Sequence, residues 1–251
     1  MAEIAPFVRT NYKAVDKRDA LHSVKGWLTG DTKKVPIIVD DGKPFGIVNE
    51  RALMGRSLDL NAHLHQFTLS TRALKPTSTL EEAMAKMAEF RAAYLPVEDD
   101  QGKLIGYVSA LDLARESLGG AARDLAVPVT ELREEQTIGD ALHAFQKEYV
   151  EYLPVLSNGR LTGVLRRADV LNVEFNSGDK GRKDAGGEKF SLLQGPVAGY
   201  MDNTPAVVPP DLPADALLET LEDSGYAFVG SRDGRFLGVV TPETLFRPNG
   251  R

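Results

Sequence analysis

YLPVEDDQGKLIGYVSALDLA, from Tyr94 to Ala114, reads as an apolar strand, a polar turn holding Gly102, a second apolar strand opening on Gly106, and a helix start. The same phrase is spelled three more times. It runs VPIIVDDGKPFGIVNERALM from Val35 to Met54, YLPVLSNGRLTGVLRRADVL from Tyr152 to Leu171, and YAFVGSRDGRFLGVVTPETLF from Tyr226 to Phe246. Repetition at this scale makes the fold an array of one unit. The glycines that open the second strands, Gly46, Gly106, Gly163 and Gly238, are spaced by 60, 57 and 75 residues. The excess in the last step, roughly 15 residues, matches NSGDKGRKDAGGEK from Asn176 to Lys189, which has no apolar rhythm and reads as a flexible loop over 176–190. Its Gly and Lys content suggests a phosphate loop, but Gly-x-x-x-x-Gly-Lys-Ser/Thr is not spelled there.

The 251 residues suffice for one or two domains with proper cores, and four such units fit that length. A formal charge of −6 argues against a surface built to grip nucleic acid or anionic lipid. Without cysteine there is no disulfide framework and no thiolate metal site. The start, MAEIAPFVRTNYK, lacks the apolar core of a signal peptide, and no apolar run approaches the roughly 18 residues of a membrane span. A soluble, cytoplasmic protein with no membrane partner is the expectation.

A helical stretch precedes each strand pair. Leu80, Ala83, Met84, Met87 and Ala88 recur at three- and four-residue steps behind Thr79, a plausible cap, with Glu81 and Glu82 in the first turn. Ala20, Leu21, Val24, Trp27 and Leu28 play this part in the first unit, Thr137 to Phe145 in the third, and Ala216, Leu217, Leu218 and Leu221 in the fourth. Between the strands, Asp41-Gly42, Gln101-Gly102, Asn158-Gly159 and Asp233-Gly234 supply the positive φ of tight hairpins. A three-stranded sheet with helices on one face leaves apolar surface bare in so small a unit, so units pair sheet against sheet.

These residues resemble the cystathionine beta-synthase (CBS) domain family. The aliphatic-Pro-Val strand, the Gly-aliphatic-aliphatic strand and the following Ser/Thr-x-x-Asp position carry the resemblance. It implies an α/β fold of four β-α-β-β-α repeats: CBS 1 over 1–60, CBS 2 over 61–122, CBS 3 over 123–175 and CBS 4 over 191–251. Residues 1–122 and 123–251 would then be two Bateman modules forming a pseudo-symmetric disk, an architecture similar to that of the gamma subunit of AMP-activated protein kinase and of archaeal stand-alone CBS proteins. The ligand implied is AMP, ADP or ATP, with S-adenosylmethionine as a further possibility, held in clefts between paired repeats.

In the family, the Asp of Ser/Thr-x-x-Asp accepts hydrogen bonds from the ribose hydroxyls, and the Ser/Thr sits near phosphate at a helix start. The second unit has Ser109 and Asp112, and the third has Arg166 and Asp169. The first has Asn49 and Ala52 and the fourth Thr241 and Thr244, so neither presents a carboxylate. At most two good ribose sites follow, on Asp112 and Asp169, unless each Asp merely favours its helix dipole. Lys33, Lys34, Arg51, Arg166 and Arg167 are candidate phosphate cations, with solvated surface charge as the alternative. Lys75 and Arg133 are weaker candidates. Tyr94, Tyr152 and Tyr226 stand two residues before the Pro position, where a ring could stack on a base, block it, or simply pack; the first unit has Lys34 there.

His63 and His65 form the one His-x-His, with no further ligands placed by the sequence, so no metal site is expected. No nucleophile and base stand together, and the acidic residues read as crowding helix starts rather than converging, so no enzyme is expected. The leading expectation is a nucleotide-responsive regulatory protein, with no required cofactor, acting on an unidentified effector protein or a second copy of itself. Its rivals are a structural interaction module with degenerate sites, which Phe228 in place of Pro favours, and, less so, nucleic-acid binding.

Overall fold

The computed structural model describes residues 2–30, 32–54, 59–178, 192–230 and 235–246. Unit one comprises β1 (Tyr12–Asp16), a 3-10 turn running into the single-turn α1 (Lys25–Leu28), β2 (Val35–Asp40), β3 (Lys43–Val48) and a 3-10 turn over Glu50–Leu53. After β4 (Thr68–Leu69), unit two follows as α2 (Leu80–Phe90), β5 (Tyr94–Glu98), β6 (Leu104–Ser109) and α3 (Ala110–Ser117). Unit three holds α4 (Ala122–Leu125), β7 (Leu132–Arg133), α5 (Ile138–Lys147), β8 (Tyr152–Ser157), β9 (Arg160–Arg166) and α6 (Arg167–Gly178). Unit four holds β10 (Val207–Val208), α7 (Ala214–Ser224), β11 (Ala227–Gly230), β12 (Phe236–Val240) and a 3-10 turn over Pro242–Thr244. α6 thus runs into the stretch read as a loop, whose remainder, like the Asp233-Gly234 turn, lies outside the described residues.

The helices form where periodicity and capping agree. The Thr79 hydroxyl accepts from the Glu82 N–H at 3.1 Å, and α2 buries Ala83 and Met87. Thr137 and Asp140 close a full capping box on α5, which buries Ile138, Ala141, Leu142, Ala144 and Phe145. In α7 the inward stripe begins at Ala214, not Ala216, and continues through Leu217, Leu218 and Leu221. Asp41-Gly42 and Asn158-Gly159 both take positive φ, which the two-residue turns of β2–β3 and β8–β9 require; in the β5–β6 turn Gly102 does so without Gln101.

The central hairpins are antiparallel, with leading strands added in parallel: β1 on β2, β7 on β8 and β10 on β11. Unit two keeps only a single parallel bridge, Leu74 to Val97. Alternation along β2 divides its side chains. Ile37 and Val39 join the core of unit two, while Ile38 packs toward the helices of its own unit. In unit four Phe228 faces unit three, whereas Ala227 and Val229 share a core with α7 and unit two. Units one and two, and three and four, therefore pair sheet against sheet. Contacts between α3 and α7, including Arg115 to Glu222 at 2.6 Å, and between α5 and the Glu50–Leu53 turn, join the two pairs.

Strand register corrects one reading. Pro96 pairs with Tyr107 and Pro154 with Val164, each next to the Gly pairing, but in unit one Ile37 holds that register, opposite Ile47. Val35, and not Lys34, therefore stands in register with Tyr94 and Tyr152.

The repeated glycine has one physical cause in all four units. A Cβ on Gly46 would lie 2.2 Å from the Leu69 carbonyl oxygen, on Gly106 2.5 Å from that of Arg9, on Gly163 2.8 Å from that of Asp202, and on Gly238 2.7 Å from that of Val127. Each of these backbones belongs to the segment leading into the sister unit. The two members of each pair thus exchange straps, and bare Cα atoms let the straps press onto the second strands.

Candidate functional site

In units one and two the residue that closes the second strand caps the next turn. The Asn49 Oδ1 accepts from the Ala52 N–H at 3.3 Å, and the Ser109 hydroxyl from the Leu111 N–H at 3.2 Å. Thr244 closes unit four on itself, its hydroxyl accepting from the Thr241 N–H at 3.0 Å, and Thr241 is fully buried. Only units two and three place a carboxylate three residues after this closing position, Asp112 in α3 and Asp169 in α6.

Both carboxylates are clasped by arginine. The Arg9 Nε donates to the Asp112 Oδ2 at 2.6 Å and its Nη2 donates to Oδ1. The Arg166 Nε and Nη2 donate to the Asp169 Oδ2 and Oδ1 at 2.9 and 2.8 Å. The aspartates are 17% and 16% exposed, while their arginines are 48% and 55% exposed, so the clasp is the outer, replaceable layer. Arg9 reaches Asp112 because its strap lies against Gly106: Arg9 and Tyr107 exchange backbone hydrogen bonds at 2.8 and 3.0 Å. Hydrogen bonding to the aspartates raises the affinity of both arginines for their protons, against a smaller opposing effect of burial.

A second feature lies where all four units meet. A cavity of about 1110 Å³ is walled by residues of every unit, among them Val35, Tyr94, Tyr152 and Gly225. Four acidic residues line it: Glu89 on α2, and Glu50 after β3, Glu151 before β8 and Glu243 after β12 from the other three units. Arg167 joins them, 5% exposed, its Nη1 3.4 Å from the Glu50 Oε2 and its Nη2 donating to the Val150 carbonyl at 2.6 Å. Burial, reinforced by the nearby Glu50 and opposed by Arg167, pushes Glu151 up to about 8. Glu243 is pushed up to about 7 by burial and then by Glu151, and burial raises Glu50 against the pull of Arg167. The reading that acidic residues do not converge is therefore corrected. Glu50 and Glu243 do sit at the starts of their turns, but the fold turns those starts toward one cavity.

A sequence model of the CBS domain family matches residues 72–119, 122–176 and 197–248, more than half of the chain. The chain belongs to the CBS-domain family. The unmatched first unit has the same strand, Gly and strand build. Two solved structures share the whole arrangement of CBS repeats. A Methanocaldococcus jannaschii protein proposed as an archaeal homologue of γ-AMPK superposes with a TM-score of 0.81 at 14% identity, over 98% of this chain and 99% of that one. An uncharacterized conserved protein of Pyrococcus horikoshii gives 0.65 at 19% identity, covering 98% of each chain. At such identities the likeness concerns the fold.

Among curated proteins, the chloroplastic CBS domain-containing protein CBSX1 of Arabidopsis thaliana is 29% identical over 145 residues, 43% of this chain and 61% of that protein. Inosine-5′-monophosphate dehydrogenase of Mycobacterium tuberculosis is 33% identical over 104 residues, 40% of this chain and 20% of the enzyme. The chain spans less than two thirds of these curated relatives.

The CBS fold distributes the expected site residues over separate places. Ser109 and Asp112 stand together, as do Arg166 and Asp169, but Arg51, Arg167, Tyr94 and Tyr152 belong to the central cavity. Lys33 and Lys34 are exposed and line no part of it. Tyr94 is buried, edge-on to Trp27 and Tyr107, and its hydroxyl donates to the Pro36 carbonyl at 3.4 Å. Tyr152 and Tyr226 stack on each other with centroids 4.3 Å apart across the pair of units three and four. Arg51 lies over the Tyr149 ring, 4.1 Å from its centroid, and Arg91 lies 3.6 Å from the same centroid. His63 and His65 stack at 5.9 Å, the His63 Nδ1 on the Arg18 carbonyl. Among the described residues no three His, Cys, Asp or Glu groups are placed to hold a metal ion, and no helix is long and apolar enough to cross a membrane.

Arg9 and the acidic trio were not singled out in the sequence. Arg9 lies in the entry segment of the first unit, ahead of β1 and outside the repeated phrase. Glu50 and Arg167 directly follow the matching Asn49 and Arg166 of their copies, but unit two has Ala110 there, Glu243 stands one residue later and Glu151 precedes its phrase.

Proposed function

We propose that this CBS protein is a non-catalytic regulatory module that binds adenine nucleotides through ribose at Asp112 and Asp169, and that occupancy changes how its four units pack for a partner to read. The observation that carries this reading is the arginine clasp. Each carboxylate is partly open and already meets a two-pronged donor, and a ribose diol offers two O–H donors to the same pair of oxygens. The starts of α3 and α6 lie beside Ser109 and Arg166, and the positive end of a helix dipole favours a phosphate there. Units one and four, closed by Asn49 and by Thr241 with Thr244, are left as structural copies. Ligand alters packing only through different affinity for two arrangements, so a change of shape or stability on binding is part of the claim.

A structural interaction module is the second reading, favoured because both carboxylates are already satisfied by arginine. Isothermal titration with AMP, ADP, ATP and S-adenosylmethionine on the wild type, Asp112→Ala and Asp169→Ala separates the two. One binding event lost with each aspartate supports the sensor. No heat in the wild type, or heat untouched by both substitutions, moves the assignment to the structural module.

A further inference from the structure

One position is filled differently in each unit. The residue after the one that closes the second strand is Glu50 in unit one, Ala110 in unit two, Arg167 in unit three and Pro242 in unit four. The backbone treats the second and third alike: the Ala110 N–H donates to the Ala93 carbonyl and the Arg167 N–H to the Glu151 carbonyl, both at 2.8 Å. The side chains act differently. Glu50 and Arg167 carry opposite charges and meet across the two pairs of units, the Arg167 Nη1 3.4 Å from the Glu50 Oε2, with both side chains largely buried. Ala110 is fully buried and ends at its Cβ, and Pro242 carries no charge.

The two pairs are therefore joined unequally. At the Arg167 joint the Gln146 Nε2 also donates to the Met54 carbonyl at 3.2 Å, and Arg167 is tied to its own unit by its Nη2 on the Val150 carbonyl. At the other joint α3 and α7 meet through Arg115 and Glu222, both 43% exposed. Parting a buried pair leaves its charges unsatisfied, whereas water replaces the partners of an exposed one at little cost. A change at the Arg167 joint thus carries energy that a change at the other does not.

The neighbour of Arg167 in sequence is the clasp itself. Asp169 accepts from the Arg166 Nε and Nη2 and also from the Arg166 backbone N–H at 3.3 Å. One carboxylate thereby fixes the last residue of β9 to the first turn of α6, on which Arg167 stands. A ligand that takes both oxygens of Asp169 removes these bonds beside the joint. In unit two the clasp comes from Arg9 on a distant strap, and the start of α3 is held by the Ser109 hydroxyl on the Leu111 N–H, so displacing Arg9 leaves that start intact.

We propose, on the reading that both aspartates hold nucleotide, that the two sites differ in role: occupancy of Asp169 loosens the joint between the pairs through Arg167 and Glu50, and occupancy of Asp112 does not reach it. Arg167 acts here as a positioning residue. Linkage is reciprocal, so a joint loosened beforehand favours the ligand at Asp169.

Hydrogen exchange of the Glu50–Leu53 turn and calorimetric titration with AMP and ATP, both on the full chain, test this. Nucleotide is expected to speed exchange of the turn equally in the wild type and in Asp112→Ala. Without nucleotide, Asp169→Ala should already speed it and Asp112→Ala should not. Glu50→Ala is expected to tighten, at least threefold, the binding event that Asp169→Ala abolishes, and to leave the event that Asp112→Ala abolishes at its wild-type affinity. If Glu50→Ala does not fold, the exchange measurements decide alone. No binding event lost with Asp169→Ala removes the nucleotide reading of that site and this proposal together. Nucleotide bound at Asp169 with unchanged exchange of the turn, or a response that shrinks in Asp112→Ala, overturns the proposal and leaves the nucleotide reading standing.

Discussion

The Arg9 guanidinium grips the Asp112 carboxylate across 103 residues of chain, with its Nε 2.6 Å from Oδ2. The strap that carries Arg9 is anchored by the fully buried Ile4 and by backbone bonds to Tyr107, so only the side chain is free to swing. Any ligand that uses Asp112 must first displace this arginine. For a half-exposed, two-pronged pair the clasp is worth about 1 kcal/mol. Arg9→Ala is therefore expected to strengthen nucleotide binding at Asp112 roughly fivefold, since about 1.4 kcal/mol is tenfold. Titration of the variant beside the wild type checks it, and weaker binding would mean that Arg9 contacts the ligand itself.

Gly106 holds the strap in place by having no side chain. A Cβ there would stand 2.5 Å from the Arg9 carbonyl oxygen and 2.7 Å from the Val8 Cγ1, and the first of these neighbours is backbone. Gly106→Ala is expected to destabilise by about 2 to 3 kcal/mol in urea unfolding, within the range of overpacking. Gly119→Ala is the control, because its Cβ meets nothing within 4 Å and its φ is not positive. The loss should be smaller in the Arg9→Ala background only if the side-chain clasp, and not the backbone strap, bears the strain. Equal losses in both backgrounds are expected.

The fold was legible because each unit repeats a hydrophobic pattern with its turn chemistry, and such local consistency survives any tertiary context. The role of the repeated glycine was not, since its cause is a strap from a neighbouring unit. One-residue register escaped for a related reason. Pro36 imitates Pro96 in sequence, but the β2–β3 turn is shorter than the β5–β6 turn and places Ile37 at that height, so Lys34 left the tyrosine position. Of the candidate site, the carboxylates were readable and their occupants only half so: Arg166 lies within the motif it clasps, whereas Arg9 lies far from Asp112 in sequence. The central acidic wall depends on how four units face one another, which no single repeat encodes.

That wall makes stability depend on pH in an unusual sense. Glu151 and Glu243, at about 8 and 7 in the folded chain against an ordinary value of 4.5, hold protons that the unfolded chain has already released over that interval. The folded state therefore binds more protons, and stability falls as pH rises. Their contribution is full below about pH 4.5 and is lost as pH climbs through 7 and 8. Each unit of separation is worth about 1.4 kcal/mol, so the fall is on the order of a few kcal/mol. Melting temperature is expected to drop between pH 5.5 and 8.5 in the wild type. In Glu151→Gln/Glu243→Gln it should stay flatter and lie above the wild type at pH 8.5. A wild type that melts higher at pH 8.5 than at 5.5 would show these carboxyls to be charged in the fold.

The stacked pair Tyr152 and Tyr226 joins units three and four. The rings lie 4.3 Å apart and 21° from parallel, and Tyr226 continues edge-on into Phe228 and Phe236 through a chain of ring contacts. The Tyr226 hydroxyl also accepts the Ala206 N–H at 3.1 Å, tying the ring to the segment that leads into β10. Tyr226→Phe removes that bond alone and is expected to lower stability by about 1 kcal/mol. Tyr152→Leu and Tyr226→Leu, with their double variant, isolate the ring contact. A coupling energy of about 0.5 to 1.5 kcal/mol is expected from urea unfolding. If the stack fills the space of a base, Tyr152→Ala should leave nucleotide binding at Asp112 unchanged while opening the cleft between units three and four. A gain of binding that disappears again with Asp169→Ala would identify Tyr152 as the plug of that cleft, whereas a loss of binding in Tyr152→Ala would make the ring part of the base-holding wall.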